Sequence, residues 1–143
     1  GTISQTDGSI GYIGSEYAFA QKIQVAKVQN SSGKFIKPTI ASISLAAQGD
    51  IPDDTRIKLT DSSDPASYPI SGFTWIILYQ DQAYNNRTEA QALATITLLD
   101  WLISEKAQSY ASKVNYAPLP VLAVQKAKAV LRSVTFNGKQ LLK

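Results

Sequence analysis

The chain has 143 residues, of which 44% are hydrophobic and 17% are charged; this composition is typical of a globular protein and excludes a disordered one. It contains neither cysteine nor histidine, which excludes disulfides, thiol chemistry, Ser-His-Asp catalysis and the commonest zinc ligands. The net charge of +3 arises from 14 basic and 11 acidic residues. The basic residues are scattered and do not form the patch that nucleic acid requires, so we expect no nucleic-acid partner.

The first half of the chain has the pattern of short strands with little helix. Residues 9–13 are typical of a short strand and residues 16–21 of a helical turn. β-Branched residues with partial alternation predict a half-exposed strand over residues 23–28. A turn at residues 30–33 then leads into a return strand over residues 34–37, so a hairpin is expected here.

A helix is expected over residues 38–47, and Gly49 is well placed to end it in the left-handed conformation. Residues 55–59 alternate polar and apolar side chains, which predicts an edge strand or one-sided strand. The composition of residues 61–67 predicts a loop. This loop is the plausible internal boundary of the chain.

The second half begins with a nearly continuous apolar stretch at residues 70–79, the pattern of a central strand covered on both faces. Thr88 and Gln91 form a predicted capping box that opens the longest helix, which should reach about Val114. We expect this helix to pack on the preceding strand through buried residues such as Leu99. The aromatic side chains of the second half are core candidates, namely Phe73, Trp75 and Trp101.

Pro120 is expected at the first position of a last helix that reaches about Val134, and Asn137-Gly138 should form a turn. Helices that alternate with strands around a buried central strand predict an α/β fold. No apolar run reaches the roughly 20 residues that span a bilayer, so no membrane helix is expected.

Ser71, Gly72 and Thr74 are the candidate residues for an anion site, because hydroxyls and backbone N–H groups solvate oxyanions without adding charge. The alternative is that the hydroxyls satisfy local backbone groups and that the glycine permits close packing. The glycine pair Gly8 and Gly11 lacks the Gly-Lys-Ser/Thr ending of a phosphate loop, and the paired aspartates lack the spacing of a calcium loop. We therefore predict no metal site and no cofactor. No nucleophile is combined with a base, so we predict that the chain is not an enzyme.

Several short motifs occur in an order that resembles the phosphate-binding proteins of bacterial high-affinity phosphate importers. They are Gly8-Ser9-Ile10-Gly11-Tyr12, Glu16-Tyr17-Ala18, Ser32-Gly33-Lys34 with Pro38, Tyr68-Pro69-Ile70-Ser71, and Asn115-Tyr116-Ala117-Pro118-Leu119-Pro120. The resemblance covers most of residues 7–143. It implies the C-terminal portion of a two-lobed periplasmic binding protein of type II, in which residues 1–68 complete the second lobe. Residues 69–143 would then supply a crossing strand and the closing helices of the first lobe.

The resemblance also implies a function and partners. The expected function is phosphate capture for an ABC importer, with inorganic phosphate, the importer's permease subunits and the N-terminal remainder of the same protein as partners. Most family ligand residues are expected to lie N-terminal to this chain. The expected location is periplasmic, or extracellular with a membrane anchor in a missing N-terminal segment.

Two alternatives stay open from the sequence. The chain could be a structural or interaction fragment with no ligand of its own, or it could derive from a binding protein for a related oxyanion such as sulfate. The chain lacks methionine and begins with Gly1, so we expect it to be a processed product, an excised fragment, or a chain whose leader has been removed.

Overall fold

Residues 1–142, which the computed structural model describes, combine helices with short antiparallel hairpins. In chain order the elements are α1 (Thr2–Gln5), α2 (Ser15–Ala20), β1 (Val28–Gln29), β2 (Phe35–Ile36), α3 (Ile40–Ala46), α4 (Glu89–Leu102), α5 (Glu105–Gln108), a 3₁₀ helix (Ala111–Val114), α6 (Val121–Arg132), β3 (Thr135–Phe136) and β4 (Lys139–Gln140). The strand β1 pairs with β2, and β3 pairs with β4. The secondary structure of the described residues is therefore a mixture of helix and sheet. None of the helices in this described part has the length and apolar character needed to cross a membrane.

Two hydrophobic clusters form the core. The first cluster contains Ala46, Ala47 and Leu59, with Ile57 and Phe73 packed against it. The second cluster contains Ile96, Leu131 and Val134, with Leu78, Leu99, Ile103, Leu141 and Leu142 packed against it. The first cluster is built almost entirely from the first half of the chain, and the second cluster from the second half. Residues 73–78 run from one cluster to the other.

The β1–β2 hairpin confirms the turn predicted at residues 30–33, and one side chain organises it. The Oδ1 atom of Asn30 accepts hydrogen bonds from the backbone N–H groups of Ser32 and Lys34, both at 3.1 Å. Its Nδ2 atom donates to the carbonyl of Pro65 at 3.1 Å, which ties the turn to a distant loop. Asn30 is buried, and a buried polar side chain is tolerated when its groups are paired in this way.

The helix α3 begins where the sequence predicted. Thr39 is its N-cap: the Ser42 N–H donates to Thr39 Oγ1 at 3.1 Å, and the Thr39 N–H donates to Ser42 Oγ at 2.9 Å. The prediction for Gly49 was wrong. The helix ends at Ala46, its C-cap Ala47 has a φ of −96° that any residue can adopt, and Gly49 has no positive φ.

Three predicted strands of the first half are wrong in whole or in part. Residues 9–13 and 55–59 form no strand, and of residues 23–28 only Val28 is in β1. Ile10 is fully exposed, and Thr55 has a left-handed φ of 62°. An alternating pattern lets a segment pair, but a strand exists only where a second segment supplies the hydrogen bonds. Within the described residues, no second strand pairs with residues 9–13 or 55–59.

The apolar stretch at residues 70–79 is not the buried central strand that its composition predicted. Ile77 is 95% exposed, and Trp75 is 44% exposed. The stretch has no strand partner within residues 1–142, so no neighbouring strand covers it and most of its side chains are exposed. Its two anchored side chains are Phe73 on the first cluster and Leu78 on the second. The expected packing of the long helix on this stretch is therefore restricted to the Leu78 end, where Leu99 of α4 joins the same cluster.

The capping box predicted for α4 is confirmed, but its predicted end was wrong. The Gln91 N–H donates to Thr88 Oγ1 at 3.3 Å, and the Thr88 N–H donates to Gln91 Oε1 at 3.0 Å. The helix ends at Leu102 because Ser104 adopts an extended conformation and caps α5, accepting from the Ala107 N–H at 3.2 Å. The predicted single helix is therefore divided into α4, α5 and the 3₁₀ helix. Trp101, a predicted core residue, is 47% exposed.

The last helix and hairpin follow the prediction with small shifts. Pro120 is the N-cap of α6, not its first residue, and the helix ends at Arg132. Asn137 and Gly138 both have positive φ, at 49° and 76°, as the predicted turn between β3 and β4 requires. The sequence did not predict that residues 80–82 lie beside β3. There the Thr135 N–H donates to the Gln80 carbonyl at 2.9 Å.

Candidate functional site

A wide groove of about 1250 Å³ lies between the two halves of the chain. We call it the central groove. Its first wall comes from residues 9–14, 23–26, 70–74 and 76, together with the first two residues of α2, and its second wall from residues 101–103, 107–108, 110–111 and 114–119. Residues 9–14, 23–26 and 70–74 of this first wall form no strand.

The three predicted site residues, Ser71, Gly72 and Thr74, all line the central groove. Ser71 is buried, and its hydroxyl donates to the carbonyl of Tyr68 at 2.8 Å. That bond satisfies a local backbone group, which is the alternative role considered for this hydroxyl. Gly72 and Thr74 are exposed to the groove. The fold thus brings the three residues to one wall, where a role in phosphate binding stays a prediction.

The charge of the central groove is unsuited to an anion. Among the described residues that line it, Glu16 alone is charged, and neither lysine nor arginine is present. The negative charge of Glu16 raises the pKa of Tyr116 on the opposite wall, with partial desolvation and a hydrogen bond from the tyrosine contributing further. A phosphate dianion here would meet hydroxyls and a carboxylate but no cation, so the described residues do not form a complete anion site.

Two cations that lie outside the groove form ion pairs there. Lys126 pairs with Asp53, and Arg56 pairs with Asp54 at 2.8 Å. The Arg56 N–H and its guanidinium hold the pKa of Asp54 below the ordinary value. Neither pair borders the groove.

Arg87 borders a separate, open depression of about 600 Å³ beside the start of α4. Its guanidinium donates to Gln82 Oε1, to the Tyr84 hydroxyl at 3.0 Å, to the Gln91 carbonyl at 3.1 Å and to Thr95 Oγ1. These neutral acceptors occupy its donors, so Arg87 fixes the loop before α4. This role of Arg87 was not predicted from the sequence, where its position immediately before the N-cap Thr88 is the signal for it.

No group of three or more carboxylate, histidine or cysteine side chains within residues 1–142 is arranged to hold a metal ion. The paired aspartates have local roles instead. Asp54 accepts from Arg56, and Asp64 accepts from the Ala66 N–H at 2.7 Å in its own loop. In both contacts the carboxylate accepts from the backbone N–H two residues further along the chain.

The chain is similar to several curated proteins, each named phosphate-binding protein PstS. A relative from Xylella fastidiosa is 28% identical over 130 residues, which are 89% of this chain and 34% of the relative. One from Haemophilus influenzae is 31% identical over 134 residues, or 89% of this chain and 37% of the relative. One from Methanocaldococcus jannaschii is 27% identical over 127 residues, or 82% of this chain and 33% of the relative.

No protein-family model matches the chain. The chain spans about a third of the length of the curated relatives it matches. The similarity extends through nearly all of the chain, as the order of the short motifs predicted. The resemblance to phosphate-binding proteins is therefore confirmed: this chain is related, over most of its length, to about a third of a PstS protein.

Proposed function

We propose that the chain is part of the phosphate-binding component of an ABC phosphate importer. The observation that carries the proposal is the similarity to phosphate-binding proteins over 82–89% of the chain. Its partners would be inorganic phosphate, the permease subunits of the importer and the N-terminal remainder of the same protein. The location would be periplasmic, or extracellular with a membrane anchor in an N-terminal segment of the whole protein.

The two clusters support a two-lobed arrangement of the periplasmic binding protein type. Tyr68 and Pro69 are tied to the first half, because the Tyr68 N–H donates to the Ser42 carbonyl at 2.9 Å and the Asp61 N–H donates to the Pro69 carbonyl at 2.8 Å. Phe73 also packs on the first cluster. These contacts favour a boundary within residues 73–78, a few residues beyond the boundary near residue 68 that the sequence suggested. In this proposal residues 73–78 are the crossing segment.

The composition of the central groove supports a binding site that is completed by other parts of the protein. An under-satisfied buried anion costs several kcal/mol, and the described groove residues provide hydroxyls without a cation. The main ligands would come from the N-terminal remainder, with Ser71, Gly72 and Thr74 as a minor contribution. The chain alone would therefore bind phosphate poorly.

Isothermal titration tests the proposal with phosphate and with sulfate, on this chain alone and on the chain joined to its N-terminal remainder. We expect tight, saturable phosphate binding by the joined protein and at most weak binding by the chain alone. The paired change Ser71→Ala with Thr74→Val should weaken binding by the joined protein only slightly. Ser32→Ala with Thr60→Val is the matched control, since both residues are exposed and lie outside the groove.

Three other outcomes would change the conclusion. Preference of the joined protein for sulfate would favour the related-oxyanion alternative, and its failure to bind either anion would favour a fragment without a ligand. Tight binding by the chain alone, lost on Ser71→Ala with Thr74→Val, would place the site on these residues.

A further inference from the structure

We propose that the ion pair between Lys126 and Asp53 is a clasp that restrains the two halves of the chain from moving apart about residues 73–78. Asp53 lies in the loop after α3, and Lys126 lies on α6, so the pair joins segments separated by 73 residues. Asp53 lies within the sequence span of the first hydrophobic cluster, and Lys126 lies within that of the second. The proposal does not depend on phosphate binding.

The surroundings of the ion pair favour a fixed contact on the α6 side. The side chain of Lys126 is 30% exposed, whereas that of Asp53 is 93% exposed. The hydrogen bond to Asp53 raises the pKa of Lys126, and the charges of Asp53 and Asp50 add to this effect. Lys126 is thus held against an acidic loop. The loop is itself anchored, since Ile51 is buried at its centre.

A weak contact is sufficient for this role. A surface ion pair contributes little to the stability of a fold. Relative movement is the ordinary behaviour of two units joined by a short connection, and a small interaction energy biases such an equilibrium measurably. The side chains between Phe73 and Leu78 are exposed, so the connection supplies little packing of its own to oppose this movement. The Lys126–Asp53 pair should therefore affect the distance between the halves more than it affects folding.

The absence of cysteine makes the distance directly measurable. Ser32→Cys and Ala90→Cys place spin labels on exposed positions, one in the β1–β2 turn and one on α4. Double electron–electron resonance then gives the distance distribution between the halves. The test variants are Lys126→Glu and the charge swap Asp53→Lys with Lys126→Glu. Lys128→Glu is the matched control, because it changes the same charge on the same helix at a residue outside the pair.

We expect Lys126→Glu to raise the population at longer distances roughly two- to fivefold, the change that corresponds to a surface ion pair. The charge swap should restore the original distribution, and Lys128→Glu should leave it unchanged. In the labelled chain that keeps Lys126 and Asp53, about 1 M salt should also raise the population at longer distances, because salt screens exposed charges.

The proposal is overturned if Lys126→Glu keeps both its far-ultraviolet circular dichroism and its distance distribution. It is also overturned if Lys128→Glu causes the same shift. If Lys126→Glu unfolds the chain, the charge swap decides: a swapped chain that folds with the original distances supports the clasp, and one that does not contradicts it.

Discussion

Asp81 joins two parts of the chain that are distant in sequence through a single carboxylate. It accepts hydrogen bonds from the Ala83 N–H at 2.8 Å, the Gly138 N–H at 2.9 Å, the Thr135 hydroxyl at 2.9 Å and the Asn137 N–H at 3.2 Å. Three of these donors belong to the C-terminal hairpin. The bonds from Ala83 and Gly138 are the chief reason that the pKa of Asp81 is lowered from 3.8 to about 2.

The first prediction concerns the pH dependence of stability that Asp81 causes. Because its pKa is lowered on folding, the carboxylate contributes stability that is fully present above its ordinary pKa of 3.8 and is lost as the pH falls through about 2. Asp81→Asn should lower the urea midpoint at neutral pH and flatten its decline between about pH 4 and pH 2. Asp7→Asn, at an exposed aspartate, is the control. An unchanged decline in Asp81→Asn would contradict the assignment.

The second prediction compares three apolar residues of α4 that differ in burial. Ile96 is fully buried in the second cluster, Leu99 is half-buried against it, and Leu98 is 55% exposed. Ile96→Ala should cost about 2–5 kcal/mol, because it leaves a cavity. Leu99→Ala should cost less than Ile96→Ala, and Leu98→Ala should stay within about 0.5 kcal/mol of the unmodified chain. Denaturant unfolding gives the three values, and the reverse order would show that α4 is rotated on its cluster.

The elements that the sequence predicted well are those specified by neighbouring residues. The capping box of Thr88 and Gln91 and the turn at Asn137-Gly138 depend on contacts within a few residues, so the pattern suffices. Residues 70–79 have an equally clear strand pattern but form no strand. A strand depends on a partner that can be anywhere in the protein, and its own sequence does not tell whether the partner is present.

The third prediction tests the local origin of α4. Thr88→Ala removes the N-cap hydroxyl that accepts from the Gln91 N–H, and it should cost about 1 kcal/mol. Thr97→Ala is the matched control, since it makes the same change at an exposed position inside the same helix. There alanine has the higher helix propensity, so the control should be neutral or slightly stabilising. Equal destabilisation by the two changes, measured by thermal unfolding, would rule out a capping effect.

At the scale of the whole molecule, the sequence placed Ser71, Gly72 and Thr74 on one segment, and the fold brings that segment to the wall of the central groove. The sequence did not show that the facing wall would include residues 114–119, because that contact depends on how the two halves meet. The sequence also did not show that Glu16 would be the charged residue among those described residues that line the groove. Local chemistry was therefore predictable, whereas its surroundings required the tertiary structure.

The last prediction follows from the apolar character of the central groove. Large exposed apolar surfaces bind hydrophobic dyes and associate with other apolar surfaces. Ile76 lines the groove and is 59% exposed, whereas its neighbour Ile77 is 95% exposed but lies outside the groove. Ile76→Glu should therefore reduce both the fluorescence of bound anilinonaphthalene sulfonate and the self-association of the chain in sedimentation velocity. Ile77→Glu makes the same change in charge and size outside the groove, so it should have the smaller effect on both measurements. If the two variants lose dye fluorescence and self-association equally, the dye and a second copy of the chain bind the exposed stretch at residues 70–79. The groove would then not be the apolar binding surface of this molecule.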